Sequence, residues 1–109
     1  MSQLSGDAAG AKLAATLLLT SPGVPFIYYG EEIGMPGNLE NHAHDELARA
    51  PMQWDGTQNG AFTSGTPWEP LDASYLKVNV SGEDKEKSSI LSQYRDLIRL
   101  RQAHASLRA

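Results

Sequence analysis

The stretch that decides the fold is KLAATLLLTSPGVPFIYYGEEIGM, which occupies residues 12–35. Its first part is rich in Ala and Leu, which favours a helix, and Ser21-Pro22-Gly23 then interrupts that helix. Residues 24–29 are apolar and aromatic without alternation, as in parallel-sheet strands that are covered on both faces. A helix, a tight turn and a buried strand form half of a βα repeat, so the sequence predicts an α/β fold.

The pattern predicts two long helices, one on either side of this strand. Residues 8–20 follow Asp7, a suitable N-cap, and their second half is apolar almost all round, which indicates burial on several sides. Residues 88–105 follow a serine cap and carry one apolar stripe at three- and four-residue spacing. The stripe consists of Ile90, Leu91, Tyr94, Leu97 and Ile98. Basic residues near the end of this helix suit its dipole.

Between the strand and the second helix lies a stretch of weak periodicity, residues 31–80. A connection of roughly 50 residues is far longer than usual, and such loops are generally functional or disordered. This one contains Met52, Trp54, Phe62 and Trp68, which is too much apolar surface for a disordered segment. We therefore predict a folded loop that contains short helices.

Composition disfavours several classes of function. The chain has 109 residues, a formal net charge of −4 and no cysteine. An acidic chain is poorly suited to nucleic acid, and a chain without cysteine has no disulfides, thiolate nucleophile or cysteine zinc site. No apolar run approaches the ~20 residues of a membrane span, and the polar N-terminus does not resemble a signal peptide. We therefore predict a cytoplasmic protein that binds neither nucleic acid nor a membrane.

Four stretches, in a fixed order, resemble the α-amylase superfamily of glycoside hydrolases, in its branch of oligo-1,6-glucosidases, α-glucosidases and trehalose synthases. The first is residues 12–35, and the others are RAPMQWD at 49–55, FTSGTPW at 62–68 and YRDLIRLRQAH at 94–104. The sequence departs from the family pattern at Leu47, Ala61 and Ala105, where a basic residue, a glycine and a proline are usual.

The resemblance implies part of a (β/α)8 TIM barrel. Residues 8–20 correspond to the seventh barrel helix, 24–29 to the eighth strand, 31–80 to a long βα loop with short helices and 88–105 to the last helix. The predicted fold class is thus α/β, a barrel fragment that is mostly helical with little sheet. In this family the nucleophilic Asp, the acid/base Glu and a third carboxylate follow earlier strands. No residue here is therefore expected to be catalytic, and the isolated chain is expected to be inactive.

The function implied by the resemblance is that of a retaining α-glucosidase-type glycoside hydrolase, of which this chain is a C-terminal part of the catalytic domain. Its partner is an α-glucosyl oligosaccharide, and no cofactor is expected. Two alternatives stay open, a non-catalytic interaction protein and a structural unit derived from such a barrel. Because the predicted strand at 24–29 lacks both barrel neighbours, we also predict that it pairs with a second copy in a homodimer or is covered within one chain.

Arg49 and Trp54 are the candidate substrate-binding residues. The resemblance places Arg49 at the outer edge of the substrate pocket, where a guanidinium can hydrogen-bond sugar hydroxyls. The alternative is an ion pair with Asp45 or Glu46 in a short helix. Trp54 offers a face for stacking on a sugar ring, although a small core shared with Trp68 is the favoured interpretation.

Two acidic motifs invite a catalytic or metal-binding interpretation. Glu31 and Glu32 are adjacent, and because neighbouring side chains diverge, we expect structural carboxylates rather than the converging pair that retaining hydrolysis requires. His42, His44 and Asp45 have a spacing that can bind a metal in an extended segment. Loop pairs of this kind are usually exposed to solvent, so no metal site is predicted.

Overall fold

A computed structural model describes residues 6–36 and 49–108, and these two ranges form four α-helices and three 3₁₀-helices. The α-helices are α1 (Ala8–Thr20), α2 (Val80–Glu83), α3 (Ile90–Ala103) and α4 (Ala105–Arg108). The 3₁₀-helices cover Glu31–Ile33, Gln58–Ala61 and Ala73–Leu76. Within the described ranges there is no strand, and no helix there is long and apolar enough to cross a membrane.

Helix α1 begins and ends where local chemistry requires. The Asp7 carboxylate accepts a hydrogen bond of 2.9 Å from the Gly10 amide, which satisfies one of the free donors of the first turn. At the other end the Ser21 amide donates to the Leu17 carbonyl at 3.1 Å, and Pro22 prevents the helix from continuing. The helix therefore spans Ala8–Thr20, the range in which the sequence predicts one.

The main core lies between α1 and α3. On α1 the buried positions are spaced by four residues, and two of the three are alanines, which let the helices approach closely. The buried cluster consists of Ala11, Ala15, Leu19, Ile90 and Tyr94, with Leu97 and Ile98 packed against it. The predicted apolar stripe of α3 thus faces α1, except for Leu91, which packs on the loop. Across this interface the Gln93 amide donates to the Lys12 carbonyl and to the Thr16 hydroxyl, each at 2.9 Å.

Helix α3 is shorter than the 88–105 predicted from the sequence. Ser89 is its N-cap, and the hydroxyl of Ser89 accepts a hydrogen bond of 3.0 Å from the Ser92 amide. The helix stops at Ala103 because His104 adopts an extended conformation, with φ −116° and ψ 112°. The short helix α4 then follows.

A second cluster joins the long loop to the start of α3. Ile33, Met35, Met52 and Leu91 are buried together, so loop residues from two separate places pack on one helix. Gln53, next to this cluster, is fully buried, and its amide donates to the Val78 carbonyl at 2.6 Å. The loop is therefore folded against the helices over its described part.

Residues 24–29, predicted as a barrel strand, have no strand structure in the described part of the chain. A strand requires a neighbouring strand to pair with its backbone, and none lies beside these residues in the described ranges. The predicted burial is also wrong, because Val24 is 80% exposed and Phe26 84% exposed. The apolar residues of this segment are suited to burial. Their burial depends on neighbouring strands and helices, and none covers them in the described ranges.

Candidate functional site

An open cavity of about 380 Å³ lies between the end of the 24–29 segment and the long loop. Half of its ten lining residues are aromatic, which makes its wall largely apolar. The aromatic members are Tyr28, Tyr29, Trp54, Phe62 and Trp68. Two charged residues, Glu32 and Arg49, share the same wall. The candidate substrate-binding residues Arg49 and Trp54 therefore line one cavity, together with a carboxylate.

Tyr29 attaches the 24–29 segment to the loop, and Tyr28 lies beside it. The Tyr29 hydroxyl donates a hydrogen bond of 2.9 Å to the Ala50 carbonyl, and the rings of Tyr28 and Tyr29 lie with centroids 4.9 Å apart at an angle of 35°. Burial raises the pKa of Tyr29, and the neighbouring Tyr28 raises it further, while the positive charge of Arg49 acts in the opposite direction. The guanidinium of Arg49 thus interacts electrostatically with the phenol of Tyr29 across the cavity wall.

Glu31 and Glu32 lie in the 3₁₀-helix Glu31–Ile33, and their side chains have different surroundings. The Glu31 carboxylate takes part in a hydrogen bond with the hydroxyl of Tyr94 on α3, so it ties the cavity wall to the helical core. Burial raises the pKa of Tyr94 to about 12, with the charges of Glu31 and Glu32 and the hydrogen bond with Glu31 acting in the same direction. Glu31 is therefore directed to Tyr94 and does not line the cavity.

Glu32 instead lines the cavity, and one of its carboxylate oxygens is buried without a hydrogen-bond partner among the described residues. A buried carboxylate oxygen normally has a partner, so the missing one is an unusual feature of Glu32. Sequence reasoning treated Glu32 like Glu31. Adjacent side chains point in different directions, so the sequence indicates that the two carboxylates separate. It does not indicate which of them faces the cavity.

The backbone of the loop holds Trp54 at the cavity wall. The Trp54 amide donates to the Gly60 carbonyl and the Ser81 amide donates to the Trp54 carbonyl, both at 2.9 Å. The residue Trp54 is nevertheless 49% exposed, and Trp68 is 59% exposed. The prediction that these tryptophans form a small core is therefore wrong, because the methionines and isoleucine of the second cluster fill that role and the indoles are left at the cavity.

The loop turns back at Gln58–Ala61 through three successive residues with positive φ. Asn59, Gly60 and Ala61 have φ of 55°, 58° and 56°. Glycine adopts this region without cost and asparagine tolerates it, whereas alanine is strained there. Ala61 is the position where the family pattern has a glycine, so this chain carries local strain beside the aromatic wall of the cavity.

The cavity has the chemistry that carbohydrate sites use. Aromatic faces can pack against the C–H faces of a pyranose ring, and a carboxylate and a guanidinium can hydrogen-bond its hydroxyls. Retaining hydrolysis needs two carboxylates about 5–5.5 Å apart. Within the described residues Glu32 is the one carboxylate that lines this cavity, since Glu31 is turned to Tyr94. The described cavity can therefore contact a sugar but lacks a catalytic pair.

Two further predictions concern residues outside the described ranges. His42, His44 and Asp45, discussed above as a possible metal site, belong to the segment between residues 36 and 49. The same holds for Asp45 and Glu46 as ion-pair partners of Arg49.

The described residues form a helical fold with an open, largely aromatic cavity, and comparison with known proteins shows the family to which the chain belongs. Residues 1–109 match the family of alpha amylase catalytic domains. The oligo-1,6-glucosidase of Halalkalibacterium halodurans is 38% identical over 129 residues, which cover 89% of this chain and 23% of that protein. The crystal structure of isomaltulose synthase from Erwinia rhapontici NX5 superposes with a TM-score of 0.86 at 28% identity, over 99% of this chain and 25% of that one.

The chain therefore belongs to the α-amylase family of glycoside hydrolases. It spans about a quarter of the length of the enzymes described above. A non-enzyme name also occurs among its relatives. The rat amino acid transporter heavy chain SLC3A1 is 43% identical over 89 residues, which cover 74% of this chain and 13% of that protein.

Proposed function

We propose that this chain forms one wall of the sugar site of an α-glucosidase-type glycoside hydrolase that acts on short α-glucosyl oligosaccharides. The observation that supports the proposal is the cavity in which Glu32, Arg49 and the aromatic side chains meet. The relatives point to the same substrate class, since they include oligo-1,6-glucosidases and an isomaltulose synthase whose natural substrate is sucrose. All of these names concern α-glucosyl sugars.

In this site each group has a distinct task. Trp54 stacks on the apolar face of a sugar ring, because the residue is half exposed while its backbone is held by two hydrogen bonds. The Glu32 carboxylate, which lines the cavity, accepts a hydrogen bond from a sugar hydroxyl, and Arg49 donates to another at the outer edge. None of these steps breaks the glycosidic bond, so the chain by itself binds weakly and does not hydrolyse.

The test is a titration of the chain with isomaltose, maltose and sucrose, in which binding is monitored by saturation-transfer NMR and by tryptophan fluorescence. We expect dissociation constants in the millimolar range or weaker, since one wall buries only part of a ligand. Glu32→Gln and Trp54→Ala should weaken the signal further, while Glu86→Gln, at an exposed position outside the cavity, should leave it unchanged. Binding that is insensitive to both cavity variants, or hydrolysis that depends on Glu32, would contradict the proposal.

A second candidate is a non-catalytic interaction role. It is favoured by the 43% identity to a chain named as a transporter heavy chain, and by the single carboxylate that lines the described cavity. The same titration separates the two candidates. A complete absence of sugar-dependent signals at high sugar concentration supports the interaction role, whereas signals that require Trp54 support the sugar site.

A further inference from the structure

Asn59 and Gly60 form the one asparagine–glycine pair in the sequence. Asparagine is a thermally labile residue, because the backbone nitrogen of the next residue can attack its side-chain carbonyl carbon and release ammonia. A following glycine leaves this nitrogen unshielded and the backbone mobile. Asn79, the other asparagine within the described ranges, is followed by Val80, whose branched side chain restricts the approach. The sequence therefore singles out Asn59 for this reaction, which is called deamidation.

The fold keeps a glycine in this pair. Gly60 has a φ of 58°, and a Cβ at this position would lie 2.7 Å from Cδ2 of Leu71. The Gly60 carbonyl also accepts hydrogen bonds from the amides of Trp54 and Asp55, at 2.9 Å and 3.2 Å. A larger residue would be strained by the positive φ and crowded by Leu71. The loop therefore retains the residue that makes Asn59 reactive.

The Asn59 side chain supports the part of the loop that carries the aromatic wall. Its amide group donates to the Thr63 carbonyl at 3.2 Å and to the Gly65 carbonyl at 2.8 Å. The Phe62 amide in turn donates to the Asn59 carbonyl at 2.9 Å. Phe62 lies inside this turn and lines the cavity. The side-chain nitrogen that deamidation removes is thus the donor that closes the turn around Phe62.

The folded loop holds the reacting groups apart. The Gly60 amide donates to the Thr57 carbonyl at 2.9 Å, so its N–H group is already engaged. The ψ of Asn59 is 26°, which keeps the Gly60 nitrogen beside the backbone nitrogen of Asn59 and away from Cβ. The five-membered ring of the reaction intermediate requires the Gly60 nitrogen on the side of Cβ. The reaction therefore needs a local opening of the loop, which costs less free energy than global unfolding.

We propose that Asn59 is a site of spontaneous deamidation that is gated by opening of the loop, and that the product loses the aromatic wall of the cavity. The Gly60 nitrogen bonds to Cγ of Asn59, the bond from Cγ to the side-chain nitrogen breaks, and that nitrogen leaves as ammonia with the proton of the Gly60 amide. Water then opens the cyclic imide and returns a hydrogen to the Gly60 nitrogen. Attack of water at Cγ gives an aspartate. Attack at the main-chain carbonyl carbon gives an isoaspartate, which lengthens the main chain by one carbon.

Both products disturb the support of the wall. A carboxylate has no hydrogen to donate, so the carbonyls of Thr63 and Gly65 lose their partner and face a negative charge. The isoaspartate also displaces Gly60, whose carbonyl holds the Trp54 amide. We therefore expect Phe62 and Trp54 to move from their places in the cavity. The resulting loss of sugar binding rests on the proposed sugar site, whereas the deamidation does not.

The reaction is tested by incubation of the chain at mildly alkaline pH, folded or in guanidinium chloride, followed by tryptic digestion and mass spectrometry. Fragment 50–77 contains Asn59 as its one asparagine, and fragment 78–85 contains Asn79 as an internal control. We expect conversion at Asn59 in the folded chain, about tenfold slower or more than in denaturant, and none at Asn79 over the same period. A rate at Asn59 that is no faster than at Asn79, or no slower in the folded chain than in denaturant, overturns the proposal.

The gating is tested with Thr63→Val. The Thr63 hydroxyl accepts a hydrogen bond of 3.1 Å from the Gly65 amide, so this change loosens the turn whose carbonyls hold Asn59. Conversion at Asn59 should be about threefold faster or more, as expected for the loss of one hydrogen bond. The melting temperature should be unchanged, because the turn lies outside the core between α1 and α3. Ser64→Ala, at an exposed neighbouring position, is the matched control, and equal rates in the two variants contradict the gating.

The effect on the cavity is tested with Asn59→Asp, which reproduces one product. Gln58→Glu adds the same charge at the adjacent exposed position and is the matched control. Asn59→Asp should weaken sugar binding about threefold or more, while Gln58→Glu leaves it unchanged and both retain the circular dichroism of the unmodified chain. Equal binding by both variants contradicts the link between Asn59 and the wall.

The proposed sugar site can fail independently of this link. If the unmodified chain binds no sugar, the proposed sugar site is contradicted, and the wall is then followed by the intrinsic fluorescence of Trp54 and Trp68. Their emission should shift in Asn59→Asp and stay unchanged in Gln58→Glu. Identical emission from the two variants overturns the role of Asn59 in supporting the wall.

Discussion

Replacement of Arg101 by methionine should destabilise the chain more than any other change to a charged residue of α3. The Arg101 side chain reaches from α3 to the end of α1, and the residue is only 8% exposed. Its guanidinium donates to the Leu19 carbonyl at 2.8 Å, to the Ser21 carbonyl at 2.9 Å and to the Gly23 carbonyl. It therefore satisfies carbonyls that the end of a helix leaves without partners and closes the turn before residues 24–29.

The expected magnitude follows from these three hydrogen bonds. Hydrogen bonds to a charged group each contribute about 1.5–3 kcal/mol, and an unpaired buried carbonyl costs about 1–3 kcal/mol. Methionine preserves the length of the side chain and is more easily buried than a guanidinium, which offsets part of the loss. We expect a net loss of about 2–4 kcal/mol in the free energy of unfolding, a large share of the roughly 5–15 kcal/mol of a small domain.

The assay is urea and thermal unfolding followed by circular dichroism at the helix band. Arg101→Met should lower the melting temperature by roughly 8 °C or more. Arg99→Met is the matched control on the same helix. The side chain of Arg99 is 74% exposed and pairs with Asp96 at 3.3 Å, and such exposed pairs contribute little. Hydrogen exchange should also accelerate at residues 21–29 in the Arg101 variant. Equal stability of the two variants would refute the role assigned to Arg101.

Two further predictions concern Tyr94 and Ala61. The folded-state pKa of Tyr94 is raised to about 12, above the ordinary 10.0, so its contribution to stability is complete below pH 10 and is lost as the pH rises through 12. An ultraviolet titration should show one late tyrosine that is missing in Tyr94→Phe, and a profile without it contradicts the assigned burial. Ala61→Gly should stabilise the chain by about 0.5–1 kcal/mol, because it removes strain at positive φ. Ala14→Gly, inside α1, should destabilise it by about 1 kcal/mol, and destabilisation by both changes would show that Ala61 is unstrained.

The two long helices were predictable because their signals are local. Asp7 and Ser89 cap the helices, Pro22 ends the first, and the stripe of α3 recurs at helical spacing. These features act within a few residues of the chain, so they can be read without knowledge of the tertiary contacts. The family was also predictable, since its motifs are short stretches whose order can be read directly from the sequence.

The tertiary structure decided which residues meet at the cavity. Glu31 and Glu32 are neighbours of identical type, and only the packing of α3 determines that the first bonds to Tyr94 while the second faces the cavity. The role of Arg101 was equally hidden. Its position suited the dipole of its own helix, but its partners are carbonyls about 80 residues earlier in the chain.

The exposure of residues 24–29 is the plainest case of this division. The apolar composition of the segment indicates burial, because apolar surface is removed from water wherever a partner can cover it. Composition does not indicate which part of the structure covers this surface. In the described ranges neither a strand nor a helix covers Val24 and Phe26. The sequence by itself determined what this segment is suited to, and only the three-dimensional arrangement determined whether it is paired, since pairing is a property of two backbones.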